Sequence, residues 1–122
     1  MEYEPDFNSV MQKGIGLELF IYEQRQKRLK GGLNSDVAWL AMLLAVRAHL
    51  NEVVANIEDL AKAANVSFSI ADRWSMILSN QNFLSIMSDE DSKRCSFILG
   101  EAGHALMADY FNSVKKCIFV DS

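Results

Sequence analysis

The sequence predicts one mainly α-helical domain that carries a small antiparallel β-sheet, and two observations support this prediction. Residues 57–79 contain two short amphipathic helical segments separated by a tight turn. Residues 83–87 and 94–99 follow directly as strand-like segments on either side of a polar, charged stretch. Two short helices followed by a β-hairpin are the elements of a winged helix-turn-helix, in which the hairpin is the wing. The 122 residues, half of them hydrophobic, are enough for one domain with its own core.

The chain is predicted to begin with one long helix over residues 6–30. Gly14 and Gly16 lie near its middle, where the helix could bend, and Gly31 follows its end. Residues 25–30 form a basic cluster, which we interpret as a solvated helix end because cations favour the negative end of the helix dipole.

A second helix is predicted from Asp36 onward, with Asn34 or Ser35 as its N-terminal cap. Its spacing predicts a core stripe, which Trp39, Met42 and Leu43 widen; the stripe comprises Val37, Leu40, Ala41, Leu44 and Ala48. Residues 53–55, which begin with the β-branched Val53 and Val54, come just before the helix-turn-helix, and they are predicted to add a third strand to the wing sheet.

The helix-turn-helix itself has a cap, a turn residue and an inward face. Asn56 is predicted to cap the first helix, and Asn65 tolerates the left-handed conformation that ends it. Ser67 or Ser69 is predicted to cap the second helix, which runs to about residue 79. Its inward positions are predicted to be Ala71, Trp74 or Ser75, and Leu78.

The wing occupies residues 83–99, and a final helix is predicted over residues 103–119. Both terminal helices carry more large apolar groups than a small domain would hide, which favours an isologous dimer over packing on their own core alone. These groups are Phe7, Phe20, Tyr22, Tyr110, Phe111, Ile118 and Phe119.

The middle of the chain resembles the MarR family of winged-helix transcriptional regulators. The resemblance rests on Leu60–Ala61, Val66–Ser67, Ser69, Ala71, Arg73–Trp74 and Leu78, followed by the wing and by residues 99–103. It implies a homodimer built from the two terminal helical regions. A cytoplasmic protein is expected from the sequence itself, since no apolar run approaches a membrane span and the acidic start is unlike a signal peptide. The resemblance also implies that the second helix of the motif enters the major groove of double-stranded DNA, at a pseudo-palindromic site, while the wing reaches the minor groove. In the family, small molecules often act as effectors, but no residue here identifies one.

Three positions depart from the family pattern. The Asp-x-Arg pair of the family's wing tip corresponds to Asp91 and Lys93, with Arg94 beside them. The threonine that usually opens the last helix corresponds to Gly100. The second helix of the motif has one basic residue, Arg73.

The candidate DNA contacts are the outward side chains of helix 67–79 and the bases of the wing. They are Ser67, Phe68, Ser69, Ile70, Asp72, Arg73, Met76, Lys93 and Arg94. The two serines could bond phosphate or base edges.

Several of these candidates have two readings. Arg73 could reach a guanine or a phosphate, or pair with Asp72 or Glu58 on a solvated face. Asp72 would repel phosphate or accept a hydrogen bond from a cytosine amino group. The exposed apolar residues Phe68, Ile70 and Met76 could contact thymine methyl groups or form a patch that binds protein. Lys93 and Arg94 could enter the minor groove or pair with the acidic wing tip.

The charge of the motif keeps a second class of function open. Residues 57–99 contain six acidic and four basic side chains, a net charge of −2. Because phosphate neutralisation supplies much of DNA affinity, this surface is expected to bind DNA weakly or with help from a second subunit. The alternative is a winged-helix protein–protein interaction module with little DNA affinity.

Other classes of function find little support in the sequence. His49 and His104 lie in no metal-ligand spacing, and no glycine-rich phosphate loop or nucleophile elbow is present. Cys95 and Cys117 are too few for a metal knuckle and are expected to be buried or idle thiols. We therefore expect no enzyme activity, no cofactor, no metal and no membrane segment.

Overall fold

The computed structural model describes residues 6–88 and 95–119. The described part is mainly helical and holds a small antiparallel sheet, as the sequence predicts. The elements are, in order, α1 (Phe7–Arg28), a short 3₁₀ turn (Gly31–Leu33), α2 (Asp36–Leu50), β1 (Ala55–Asn56), α3 (Ile57–Ala64), α4 (Phe68–Asn80), β2 (Leu84–Ser88), β3 (Cys95–Leu99) and α5 (Glu101–Phe119).

The three strands form one antiparallel sheet in the order β1-β3-β2. Phe97 is fully buried at its centre and lies opposite both Ala55 and Ile86. The third strand is therefore present, but it begins later than the sequence predicts. Val53 and Val54 precede it and are exposed. The reason is that the amide of Val53 donates to the carbonyl of Ala48 at 2.9 Å, so the valines belong to the turn that leaves α2.

Helix α2 is the central helix of the core, but its buried face differs from the predicted stripe. Ala41 and Ala48 are buried as predicted, whereas Val37, Leu40 and Leu44 are only partly buried. The buried positions of α2 are Ala38, Trp39, Ala41, Met42, Ala45 and Ala48. Because this helix is apolar on nearly every side, its spacing alone does not define which side faces inward. The elements packed around α2 determine it.

The helix-turn-helix follows the predicted caps. The Asn56 side chain accepts from the amide of Asp59 at 2.8 Å, and Asn65 adopts φ 56° and ψ 48° at the end of α3. Of the two candidate serines, Ser67 caps α4, since its hydroxyl oxygen accepts from the amide of Ile70 at 3.2 Å. Ser35 likewise caps α2 through the amide of Ala38.

The start of α5 is hydrogen-bonded to the chain just before β2. The amide of Gly100 donates to Phe83 at 2.9 Å, and the amide of Ala102 donates to Asn82 at 3.0 Å. A Cβ atom at Gly100 would clash with the carbonyl oxygen of Asn82, and one at Gly103 with that of Phe83. Close backbone approach therefore explains the glycine at position 100, where the family pattern has threonine.

The basic end of α1 is an anchor and not simply a solvated helix end. Arg28 donates to Asp109 of α5 at 2.6 Å, and Arg25 pairs with Asp36 of α2 at 2.9 Å. The guanidinium of Arg28 lies 5.8 Å from the ring centre of Tyr110. Burial raises the pKa of the Tyr110 phenol, while the positive charge of Arg28 acts in the opposite direction.

The rest of α1 exposes a row of large apolar side chains. Phe7, Met11, Ile15, Leu19 and Tyr22 follow one face at helical spacing, and each is between 42% and 70% exposed. On α5, Tyr110 is buried and Phe111 is 41% exposed. The side chains of Ile118 and Phe119 lie outside the described part. Within residues 6–88 and 95–119, none of the helices combines the length and the hydrophobicity that a membrane span requires.

Candidate nucleic-acid interface

The outward face of α4 is opposite its core contacts. Ala71, Ser75 and Leu78 are fully buried beneath it, as the sequence predicts, whereas Trp74 is only partly buried. The most outward positions form one row along the helix axis, at intervals of three to four residues; they are Ser69, Arg73, Met76 and Asn80. All four are exposed. At 1.5 Å per residue, this row is roughly 16 Å long, which is suited to the length of a major groove across a few base pairs.

The first turn of α4 carries the next three candidates. Ser67 is exposed although its hydroxyl oxygen caps the helix, so its O–H group remains able to donate outward. Phe68 is 47% exposed and Ile70 is 44% exposed, on the two sides of the outward row. Together with Ser69, the start of this helix therefore presents two hydroxyls and two apolar side chains to solvent.

Arg73 lies at the middle of the outward row. Among the described residues it forms no salt bridge, and Glu58, one of its two predicted partners, lies 3.9 Å from Lys62. Asp72, the other predicted partner, is partly buried. Arg73 is exposed, and its guanidinium carries five hydrogen-bond donors. Its contact with DNA stays a prediction.

Asp72 lies at the edge of the outward face. Its backbone carbonyl accepts the Ser75 hydroxyl at 2.7 Å, a bond that satisfies the buried serine inside the helix. The carboxylate of Asp72 contributes negative charge next to Arg73. The only other charged side chains on α3 and α4 are Glu58, Asp59 and Lys62. The described surface of the motif is therefore not basic.

The wing has the strands that the sequence predicts, within one residue at each end. Ser85 and Met87 of β2 and Ile98 of β3 are exposed along it. The wing-tip residues Asp91, Lys93 and Arg94 lie outside the described residues. Their role at the interface stays a prediction.

Asn80 was not among the sequence-derived candidates. It is exposed in the last turn of α4, eleven residues after Ser69 and on the same row. A side-chain amide there could form two hydrogen bonds with the edge of an adenine base. The signal that would have identified it is the helical spacing itself, continued one turn past Met76.

A second concave region lies away from α4, where α2 ends and α5 begins. The rings of His49 and His104 meet there edge to face with centroids 5.0 Å apart, beside a cavity of about 430 Å³ that Leu50, Glu52 and Val53 also line. In the described ranges, no three His, Cys, Asp or Glu side chains are grouped so that they could hold a metal ion. Among the described residues, the two histidines of this region are therefore not part of a complete ligand set.

The comparisons with known proteins identify the fold. No protein-family model matches the sequence, and no curated protein matches it. Several solved structures do match. MepR from S. aureus has a TM-score of 0.57 over 98% of this chain and 86% of its own, at 13% identity. The adhesin competence repressor AdcR from Streptococcus pyogenes has a TM-score of 0.54 over 93% and 77%, at 16% identity.

A third neighbour was solved with DNA. MarR from E. coli, complexed with operator DNA, matches with a TM-score of 0.52 over 93% of this chain and 81% of its own, at 13% identity. These neighbours are MarR-family regulators. At such low identity the similarity concerns the fold, so what this chain has in common with them is the MarR-type winged-helix architecture.

Proposed function

We propose that this chain, which has the winged-helix fold of the MarR-family regulators, is a DNA-binding transcriptional regulator that acts as a homodimer. The observation that carries the proposal is the exposed row of α4 around Arg73. A helix-turn-helix protein presents this part of its second helix to the major groove. The neighbour bound to operator DNA has the same architecture.

The proposed contacts follow from the chemistry of each side chain. Arg73 would bind a guanine edge or a phosphate, and Asn80 would read an adenine. The hydroxyls of Ser67 and Ser69, near the positive end of the α4 dipole, would bind phosphate oxygens. Lys93 and Arg94 would extend the contact to the minor groove from the wing, as the sequence predicts.

The proposed dimer would use the exposed row of α1. This row is one apolar face and not a set of scattered exposed residues; it comprises Phe7, Met11, Ile15, Leu19 and Tyr22. Such faces mark interaction sites. The anchor of Arg25 and Arg28 holds only the C-terminal end of α1 on its own domain. A second copy would cover the remainder and would place two α4 helices on one pseudo-palindromic site, about one helical turn of DNA apart.

Two subunits would also compensate for the low positive charge of the motif. Arg73, Lys93 and Arg94 of both subunits supply six cations in total, so the logarithm of the binding constant should fall with the logarithm of salt concentration with a slope of about −5. The measurement is a salt titration of fluorescence anisotropy. It would use the full chain and duplex fragments that the protein selects from the genome of its source.

A specific observation favours a second function, that of a protein–protein interaction module. Phe68, Ile70 and Met76 expose apolar surface on the same face. If selection enriches no duplex and the anisotropy of random duplex DNA stays unchanged at low salt, the regulator proposal is wrong and the interaction module is the better account.

A further inference from the structure

Phosphate binding does not explain why α4 exposes three large apolar side chains. Phe68, Ile70 and Met76 are 47%, 44% and 54% exposed, although the core beneath the helix is complete with Ala71 and Leu78. They surround Arg73, the single cation of the helix. The surface that the proposed function turns toward DNA is therefore more apolar than it is basic.

The major groove offers one apolar feature of its own, the C5 methyl group of thymine. The other base edges in that groove present hydrogen-bond donors and acceptors, which an exposed Phe, Ile or Met side chain would desolvate without compensation. We propose that α4 selects thymines, through contact of Phe68, Ile70 and Met76 with their methyl groups. This inference rests on the proposed DNA-binding function and names the base chemistry that its site recognises.

The positions along the helix support this reading. Phe68 and Ile70 belong to the first turn of α4, the end at which recognition helices contact base edges. Met76 follows six residues after Ile70, which is roughly 9 Å along the helix axis, or about three base pairs of duplex. Its flexible thioether can adapt to a methyl group at that distance. The apolar contacts are thus spaced to reach separate thymines in one half-site.

The mixture of side chains on this face also favours DNA over a protein partner. Ser69, Arg73 and Asn80 run through the middle of the apolar surface and are all exposed. A protein-binding core would bury these polar groups among apolar ones at a cost. In the major groove each of them has a hydrogen-bonding partner.

Replacement of thymine by deoxyuridine removes the methyl group and leaves the base pairing and every hydrogen-bonding group in place. The test begins with a duplex that the full-length protein selects from a random library. We expect thymines in both selected half-sites. Their replacement by deoxyuridine should weaken binding by about fourfold for each methyl group that α4 contacts. This factor corresponds to the free energy of burying one aliphatic carbon group. The same replacement in the flanking sequence should change nothing.

Two variants test whether α4 causes the discrimination between thymine and deoxyuridine. Met76→Ala should bind the thymine duplex more weakly and should discriminate less between thymine and deoxyuridine. Leu50→Ala removes a side chain that is 74% exposed on α2, and it should keep the full discrimination.

Equal affinity for the thymine and deoxyuridine duplexes would overturn the inference while DNA binding itself stands. If no duplex is selected at all, the proposed function fails and this inference fails with it. Both also fail if the chain binds no DNA and a protein partner instead covers Phe68, Ile70 and Met76.

Discussion

At the scale of single residues, Asn65 determines how the helix-turn-helix turns between its two helices. It adopts φ 56° and ends α3, and the next amide, that of Val66, donates to Ala61 at 3.0 Å. This hydrogen-bonded turn sets the direction in which α4 leaves α3. A side chain other than asparagine, aspartate or glycine is strained in that conformation.

Replacement of Asn65 by alanine should therefore lower the free energy of unfolding by about 1–2 kcal/mol, the cost of the left-handed conformation. Asn65→Gly should cost much less, because glycine adopts positive φ freely. Urea denaturation at one fixed protein concentration would measure both. Asn51→Ala is the control, since Asn51 is exposed with φ −95° and should change stability by less than about 0.5 kcal/mol. Equal losses for Asn65→Ala and Asn65→Gly would contradict this account.

Arg73 carries the residue-scale prediction for DNA. Arg73→Ala should weaken binding by about 1–3 kcal/mol per subunit if the guanidinium holds a guanine, with relaxed preference at that base pair. If it neutralises phosphate, the salt slope should become shallower by about 2, since both subunits lose one contact. Anisotropy titrations at several salt concentrations separate the two cases.

The control for the Arg73 variant is a substitution that removes one positive charge outside α4. Lys116 is exposed in the last turn of α5, and Lys116→Ala should leave both the affinity and the salt slope unchanged. An Arg73→Ala protein that binds like the parent would exclude this side chain from the interface.

At the scale of whole elements, α1 differs from the other helices in what covers it. Its C-terminal turn is held by Arg25 and Arg28, whose guanidinium groups pack over Trp39 and Tyr110. The five apolar side chains of its exposed row have no such cover in the described part of the chain. The element is anchored at one end and apolar along the rest, which is the reason to expect a second copy against it.

A charge in the exposed row should separate the subunits. Ile15 is 58% exposed, so Ile15→Glu should not disturb the folded monomer, but it would bury a carboxylate in the proposed interface at a high cost. Sedimentation velocity should give a dimer for the parent chain and a monomer, or a dimer at least tenfold weaker, for the variant.

Lys13→Glu is the matched control for the dimer. It introduces the same glutamate in α1, on the other side of the helix from Ile15, and the dimer should persist. A parent chain that sediments as a monomer at all concentrations would refute the proposed assembly, and with it the two-fold site.

At the scale of the whole molecule, the fold favours DNA binding, whereas the net charge opposes it. The architecture agrees with that of a DNA-bound regulator over 93% of the chain, whereas the net charge of the full sequence is −4. Net charge governs solubility and long-range attraction, while a few well-placed cations govern contact. The proposed function therefore requires that sequence-specific contacts and a second subunit, rather than bulk charge, provide the affinity.

The sequence by itself determined the features whose hydrogen bonds close within a few residues. The cap at Asn56 and the left-handed turn at Asn65 are such features, whereas the sequence left Ser67 and Ser69 as alternative caps of α4. The inward face of α4 was also predicted correctly, because Ala71, Ser75 and Leu78 recur at helical spacing. These local signals were sufficient for the order of elements, and hence for the winged-helix class and the candidate face around Arg73.

Tertiary structure alone decided what depends on partners far away in the chain. It selected the buried face of α2, which is apolar on nearly all sides, and it moved β1 to Ala55–Asn56 because the turn after α2 takes the two valines. It paired Arg28 with Asp109, 81 residues away, and it brought the backbone of Asn82 so close to Gly100 that no side chain fits there. Such contacts leave no periodic trace in the sequence, because packing between distant segments selects them.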